Sequence, residues 1–303
     1  MAKFDVVGHS VKRPDAYEKV TGGKGFPINV TLPGMLHAKM LRSPYAHARI
    51  RSIDASAARK LPGVKAVLTP RDVPQKKYSP IFFMPTESSE LIREMVILSD
   101  SVRYAGQPVA AVAASTPEIA EAALELIDVD YEELPAVFDP EEAMRPGAPR
   151  ISDTCENNIA KKPMLTRGDL EAGFKAADQI FEGTYYAQRV HTCYMEPRVC
   201  VVDSDTQGKL TVHASVQDIF GLREKLAYVL DMPESRIKVV KPPYIGGAFG
   251  SKLDLVYIEP LAALLSLKTR KPVRMEHSRY EDFITNARHP MQVYLKTGVK
   301  KDG

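Results

Sequence analysis

An α+β fold is predicted for this 303-residue chain from three features of its sequence. Residues 109–113 are wholly apolar, a helical stripe follows Thr116-Pro117, and a strand pattern returns at 129–131. The alternation recurs further on, with strand patterns at 209–212 and 236–240 around a helical pattern at 221–230. Between these two regions, residues 139–163 hold four prolines and two adjacent asparagines with no sustained period, which reads as a linker. At roughly 150 residues per domain the length fits two units. They are placed at 1–138 and 164–303, on either side of the 139–163 linker.

The elements follow in order. Residues 1–30 carry few regular signals, and Gly22, Gly23, Gly25 and Pro27 suggest an irregular approach. Strands are predicted at 35–41 and 66–68. The run 109–113 suits a strand buried on both faces. Thr116 caps the next helix, Pro117 takes its first turn, and Ile119, Ala123 and Leu126 are expected on one face. In the second unit, 169–177 reads as a short helix and 179–186 as a strand. A hairpin is expected from 199–202 and 209–212 around the turn at 205–208. Leu222, Leu226 and Val229 repeat at helical spacing before Pro233 stops the helix. Residues 255–267 are apolar and helical, with Pro260 expected to kink the helix or delay its start. Residues 291–296 alternate as a half-buried strand and run into a Lys-Asp-Gly turn signal. No partner strand is evident within that last element, which points to a cut sequence or to another chain completing the sheet.

Composition excludes several classes. An apolar share of 44% supports ordinary cores. The net charge of +3 on nearly balanced acids and bases argues against a nucleic-acid binder. The basic run 296–301 reads as a solvated hairpin end. No apolar run of about 18 residues suggests a membrane span, and the start lacks an apolar signal core, so a cytoplasmic placement is expected. Cys155, Cys193 and Cys200 form no Cys-x-x-Cys, which speaks against zinc or iron–sulfur ligation. They read as small buried hydrophobes.

The most informative segment is Tyr244-Ile245-Gly246-Gly247-Ala248-Phe249-Gly250-Ser251-Lys252. Its spacing matches neither a P-loop nor the dinucleotide fingerprint. Glycines let a backbone turn sharply and present N–H groups to a phosphate or to the polar edge of a pterin. A tight structural turn and a cofactor cradle both remain open on the segment alone. Gln217 lies 27 residues before Tyr244, ahead of the 221–230 helix. The order is therefore strand, glutamine, helix, strand, glycine loop.

This order resembles the large, molybdenum-binding subunit of the xanthine dehydrogenase, aldehyde oxidoreductase and carbon monoxide dehydrogenase family. The resemblance runs along nearly the whole chain. Leu32-Pro33-Gly34, the 42–50 run Arg-Ser-Pro-Tyr-Ala-His-Ala-Arg-Ile, Leu61-Pro62-Gly63-Val64 and the 102–112 run look like the family's amino-terminal hammerhead domain. Arg167-Gly168-Asp169 and the 191–197 run His-Thr-Cys-Tyr-Met-Glu-Pro look like the opening of its first molybdopterin-binding domain. The implied fold is a hammerhead domain followed by an incomplete molybdopterin-binding domain.

The resemblance implies cofactor contacts at Gln217, Gly246, Gly247, Phe249 and Gly250, with no direct metal ligand. It implies a molybdenum–molybdopterin cofactor in the cytosine dinucleotide form, with iron–sulfur clusters and FAD on partner domains or subunits. The implied reaction hydroxylates an aldehyde, aromatic or heterocyclic small molecule with water as the oxygen source. The family's general-base glutamate sits in a Gly-Glu-Pro run that is absent here and is expected beyond residue 303, so no catalytic residue is assigned in this segment. The rest of the large subunit, or a companion subunit, is the expected partner, and this chain alone is expected to be inactive. Lys252 reads either as a countercharge or as a solvated lysine. Leu253 stands where the xanthine-oxidising branch has a glutamate, which disfavours a purine. His191 with Glu196 reads as a structural feature rather than an acid–base pair, and no role is expected for Asp254 or Glu259. The alternative function is a non-catalytic scaffold that keeps the fold.

Overall fold

The structure is a computed structural model that describes residues 4–23, 25–80 and 92–302. The expected first unit, 1–138, therefore includes positions outside the described residues. After a short helix α1 (Ala16–Val20) come strands β1 (Leu36–Arg42) and β2 (Ala48–Asp54), helix α2 (Ser56–Lys60) and strand β3 (Val64–Leu68). Strands β4 (Ser101–Val102) and β5 (Pro108–Ala114), helix α3 (Pro117–Glu125) and strand β6 (Asp128–Glu133) complete this half. All seven residues of β5 are buried, as the apolar run predicted. Thr116 caps α3 by accepting from Ile119 N, and the buried residues of the helix are Ala120 and Ala123. Of the expected face, Ala123 is buried and Ile119 half-buried, while Leu126, the C-cap just past the last helical residue, is exposed.

Residues 139–163 are more ordered than a bare linker. They hold helix α4 (Pro140–Ala143), capped by Asp139. The Asn158 amide ties the segment together by bonding Ala143 O, Pro149 O and Ile151 N. Arg103 reaches out from the first half to Asp153.

The second half runs through helix α5 (Leu170–Lys175), strands β7 (Gln179–Ala187), β8 (Val199–Ser204) and β9 (Leu210–Ala214), helix α6 (Ile219–Leu230) and strand β10 (Ile237–Val240). Helix α7 (Ile258–Thr269), strand β11 (Val273–Glu276), helix α8 (Arg279–Thr285) and strand β12 (Met291–Val299) follow. The β8–β9 hairpin forms as expected, with Asp205 Oδ1 accepting from Gln207 N and Lys209 N in its turn. Pro260 delays the start of α7 to Ile258 and takes the third helical position, where no intrahelical N–H bond is lost.

Among the described residues, the largest sheet has the order β10-β9-β8-β11-β1-β5-β3. It draws strands from both sides of 139–163, joined where β11 pairs in parallel with β1. One apolar cluster likewise runs from Leu36 and Ala113 to Leu261 and Met275. Helix α7 packs on β8 and β11, α6 on β10, and α3 on β1 and β5. Strands β4, β2 and β6 form a smaller sheet.

Strand β12 corrects the expectation of a missing partner. It pairs antiparallel with β7 over its full length, from Met291 opposite Ala187 to Val299 opposite Gln179. The partner lies about a hundred residues earlier, beyond the reach of local pattern reading. The resulting ribbon is largely exposed rather than half-buried. Cys155 and Cys200 are buried, but Cys193 is exposed, with a left-handed φ of 51°.

Candidate cofactor-binding surface

Strands β9 and β10 are parallel neighbours, so their carboxyl ends emerge on the same edge of the sheet. Gln217 follows β9 and the glycine loop follows β10, which brings together two segments far apart in sequence. Ligands of α/β sheets characteristically bind at such carboxyl-end edges. Asp218 accepts from Phe220 N and Gly221 N and starts α6 immediately after Gln217, fixing where the glutamine leaves the chain.

Gln217 and the loop are bonded in both directions. Gln217 N donates to Lys252 O at 3.0 Å, and Lys252 N donates to Gln217 Oε1 at 3.2 Å. Gln217 is exposed, and among the described residues its Nε2 has no acceptor. The amide therefore holds the loop with its oxygen and leaves its nitrogen facing solvent.

The loop itself is contorted. Gly247, Phe249 and Gly250 all have positive φ, at 93°, 52° and 93°. A left-handed conformation costs a non-glycine residue about 1–2 kcal/mol, and such strain gathers at functional sites. Gly246 N is bonded to Glu196 Oε2, but the N–H groups of Gly247, Ala248, Phe249 and Gly250 have no acceptor among the described residues. Successive N–H groups without a protein acceptor are the kind of donor set that can take an anion or a polar heterocycle edge. A Cβ built on Gly250 would meet nothing within 4 Å, so the space beside it is open. The donor set and this open space fit a pterin carrying a phosphate. Phe249 is 73% exposed and stands as a bare ring at the same place.

Gly246 is needed for a different reason. A Cβ there would lie 2.4 Å from Glu196 Cβ, so its smallness serves the protein's own packing rather than the approach of a ligand. At Gly247 a Cβ would meet Phe249 and Tyr194 at 3.2 and 3.3 Å, and only Gly250 has open space beside it.

Beneath the loop lies a buried ionic layer that the sequence did not announce. Arg198 is fully buried, with Nε on Glu259 Oε1 at 2.8 Å, NH1 on Ser251 O at 3.0 Å and NH2 on Asp254 O. No chemical role is expected for Asp254 or Glu259 from the sequence, and the structure gives them a packing one: Arg198 gathers both, Glu259 by its carboxylate and Asp254 by its backbone carbonyl. Burial raises the Asp254 carboxyl, whose Oδ2 accepts from Asn286. Asp282 receives Tyr194 OH at 2.8 Å and lies 3.2 Å from His277 Nδ1. Burial opposes its ionisation, but the bonds from His277 and Tyr194 outweigh that and hold it below the usual carboxylate range.

Lys252 is neither a solvated lysine nor an outward countercharge. It is fully buried, and its ammonium binds Glu196 Oε2 at 3.0 Å. Burial lowers its pKa against the pull of Glu196. His191 packs its ring on Tyr194 and Phe283, with Nδ1 accepting from Cys193 N. It has no bond to Glu196, which agrees with the structural reading of that pair. Burial keeps His191 below its ordinary pKa. Leu253 is half-buried beside the loop, its N donating to Gly250 O. Among the described residues, no group of three or more His, Cys, Asp or Glu is placed to hold a metal ion.

The chain matches two family profiles. The molybdopterin cofactor-binding domain covers residues 151–303. The a/b hammerhead domain of aldehyde oxidase and xanthine dehydrogenase covers residues 22–135. The chain is 42% identical over 292 residues to a probable xanthine dehydrogenase subunit of Bacillus subtilis (strain 168), covering 96% of this chain and 38% of the relative. It is 37% identical over 301 residues to the nicotinate dehydrogenase large molybdopterin subunit of Eubacterium barkeri, covering 99% of this chain and 68% of that protein. The fold is similar to quinoline 2-oxidoreductase from Pseudomonas putida 86, with a TM-score of 0.88 and 33% identity over 97% of this chain and 37% of that one. The chain thus spans only part of the length of each of these relatives.

Proposed function

The chain belongs to the molybdopterin-binding large subunits of the xanthine dehydrogenase, aldehyde oxidoreductase and carbon monoxide dehydrogenase family, and from that premise we propose that it builds one part of the molybdopterin site of a molybdenum hydroxylase. The observation that carries this reading is the bonding of Gln217, after β9, to the backbone of Lys252, next to four loop N–H groups after β10 that have no acceptor among the described residues. When bound, the molybdenum–pterin group supplies the redox chemistry and the activation of water.

This chain's residues bind and orient. The N–H groups of residues 247–250 take acceptor atoms of the cofactor, and the Gln217 Nε2 donors take an oxygen facing them. Phe249 walls the substrate side. The remaining donors, and the general base, come from the part of the large subunit outside this chain or from a companion subunit. The Eubacterium barkeri relative is a large molybdopterin subunit, which is compatible with such a division. The unit boundaries at 138 and 164 belong to the same proposal. The family profiles leave residues 136–150 between them, although the main sheet crosses that division.

The proposed reaction is oxidation of an aldehyde, aromatic or heterocyclic carbon with oxygen from water. Leu253 can neither donate nor accept through its side chain, which favours a substrate less polar than a purine. The cytosine dinucleotide form of the cofactor, iron–sulfur and FAD partner subunits, and a cytoplasmic location complete the proposal. Among the described residues, no helix is long and apolar enough to cross a membrane.

The test is Gln217→Glu in the assembled native complex. Glutamate keeps an acceptor for Lys252 N and removes the outward amide donors. Loss of a bond to a charged group is worth about 1.5–3 kcal/mol, so turnover should fall at least about tenfold with molybdenum retained. Unchanged turnover at full metal content would remove Gln217 from the site. A native complex without molybdenum or pterin would instead support a scaffold.

A further inference from the structure

We infer that Lys252 is a positioning residue that holds Gln217 and the glycine loop in mutual register. The inference rests on the proposal that those two pieces face one cofactor.

Burying an ammonium is costly unless every donor is used. At Lys252 the donors are used inside the protein. Nζ binds Glu196 O at 2.9 Å and Glu196 Oε2 at 3.0 Å, and it stands 4.6 Å from the centre of the Tyr194 ring. The ammonium is therefore turned away from any ligand and toward the protein.

The bond then passes on. Glu196 Oε2, held by Lys252, also accepts from Gly246 N at 2.9 Å, and Glu196 N donates back to Gly246 O at 3.0 Å. Gly246 is seated so closely on Glu196 that no side chain fits between them. This fixes the upstream end of the loop, immediately before the four unpaired donors. The backbone of Lys252 fixes the downstream end through its two bonds to Gln217. One residue thus pins residue 246 by its side chain and residue 217 by its main chain. An ion pair serving stability alone has no need to touch both pieces.

Lys252→Met, and the double variant Lys252→Met with Glu196→Met, test this in the assembled complex. Three quantities are measured: amide hydrogen exchange at Gly246, pterin and molybdenum content after gel filtration, and the thermal midpoint. In Lys252→Met the Glu196 carboxylate that accepts from Gly246 N loses the ammonium that anchors it, and the Gly246 amide should exchange at least about tenfold faster. Pterin should be lost. The double variant removes both buried charges together with the acceptor of Gly246 N, so the midpoint should recover while pterin does not. The inference is overturned if Lys252→Met keeps both Gly246 protection and pterin. It is equally overturned if the double variant regains pterin along with stability, since the pair would then be structural only. If Lys252→Met does not fold, the pterin content of the double variant decides alone: pterin regained along with stability overturns the inference. A wild-type complex lacking pterin sinks the functional proposal separately, and the Gly246 exchange still reads the clamp.

Discussion

Strand β5 and the β7–β12 ribbon are both rich in apolar residues, yet every residue of β5 is buried while Phe181 and Tyr185 of the ribbon are 59% and 60% exposed. The register places Tyr185 opposite Val293, Gly183 opposite Leu295 and Ala187 opposite Met291, so these side chains share one face. Strand β5 lies between β1 and β3 with α3 packed over it, whereas the ribbon is met by the short helix α5 along β12 and by Glu141 of α4 at Gln292. The ion pairs divide the same way. Arg198–Glu259 is buried on both sides, and Lys296–Glu182 is solvated on both. Apolar content makes a segment a strand, but what is layered above it decides whether it is core.

The sharpest way to break this contrast is Arg198→Met. It leaves the Glu259 carboxylate buried without its partner and should cost about 3–5 kcal/mol, read as a shift in the denaturation midpoint. A cost below about 1 kcal/mol would put the central pair in the same class as the ribbon pair.

Next is Gly247→Val. The position needs φ of 93°, and a Cβ there would meet Phe249 and Tyr194 at 3.2 and 3.3 Å. Strain of about 1–3 kcal/mol confined to the loop is expected. Molybdenum content of the assembled protein should drop while its far-ultraviolet circular dichroism stays unchanged. Normal metal content would make the glycines turn residues only.

Acid stability sharpens the comparison from the core side. Burial holds His277 below its ordinary value of 6.5. As pH falls through that value, the unfolded chain takes up a proton that the folded chain refuses. The stabilisation is complete above 6.5 and is lost as pH drops toward the folded pKa. Asp282, held low, adds its loss only below 3.8. The thermal midpoint should therefore decline from about pH 7 to about pH 5, and a flat profile would contradict the burial argument.

The ribbon should respond in the opposite manner. Phe181→Glu should change stability by less than about 0.5 kcal/mol, as for other exposed sites. It should reduce concentration-dependent association of the isolated chain, measured by light scattering, because it interrupts the apolar face. Unaltered association would mean that this face is not what brings copies together. The smallest effect is expected from Glu182→Gln, under about 1 kcal/mol and screened by salt.

Elements whose signals are local were legible in the sequence. The apolar run of β5, the Thr116-Pro117 start of α3, the Asp205 turn, the stop before Pro233 and the late start of α7 all depend on a few adjacent residues. The candidate surface was legible as two motifs, Gln217 and the 246–250 loop, because glycine spacing and a strand–helix–strand order are patterns in one dimension. Tertiary structure decided the rest. The pairing of β12 with β7, the joining of both halves through β1 and β11, and the burial of Lys252, Arg198 and Glu259 under the loop each depend on residues some 60 to 240 positions apart. Lysine and arginine are solvated by default, so only the surroundings that remove their water and supply their acceptors can turn them into interior anchors.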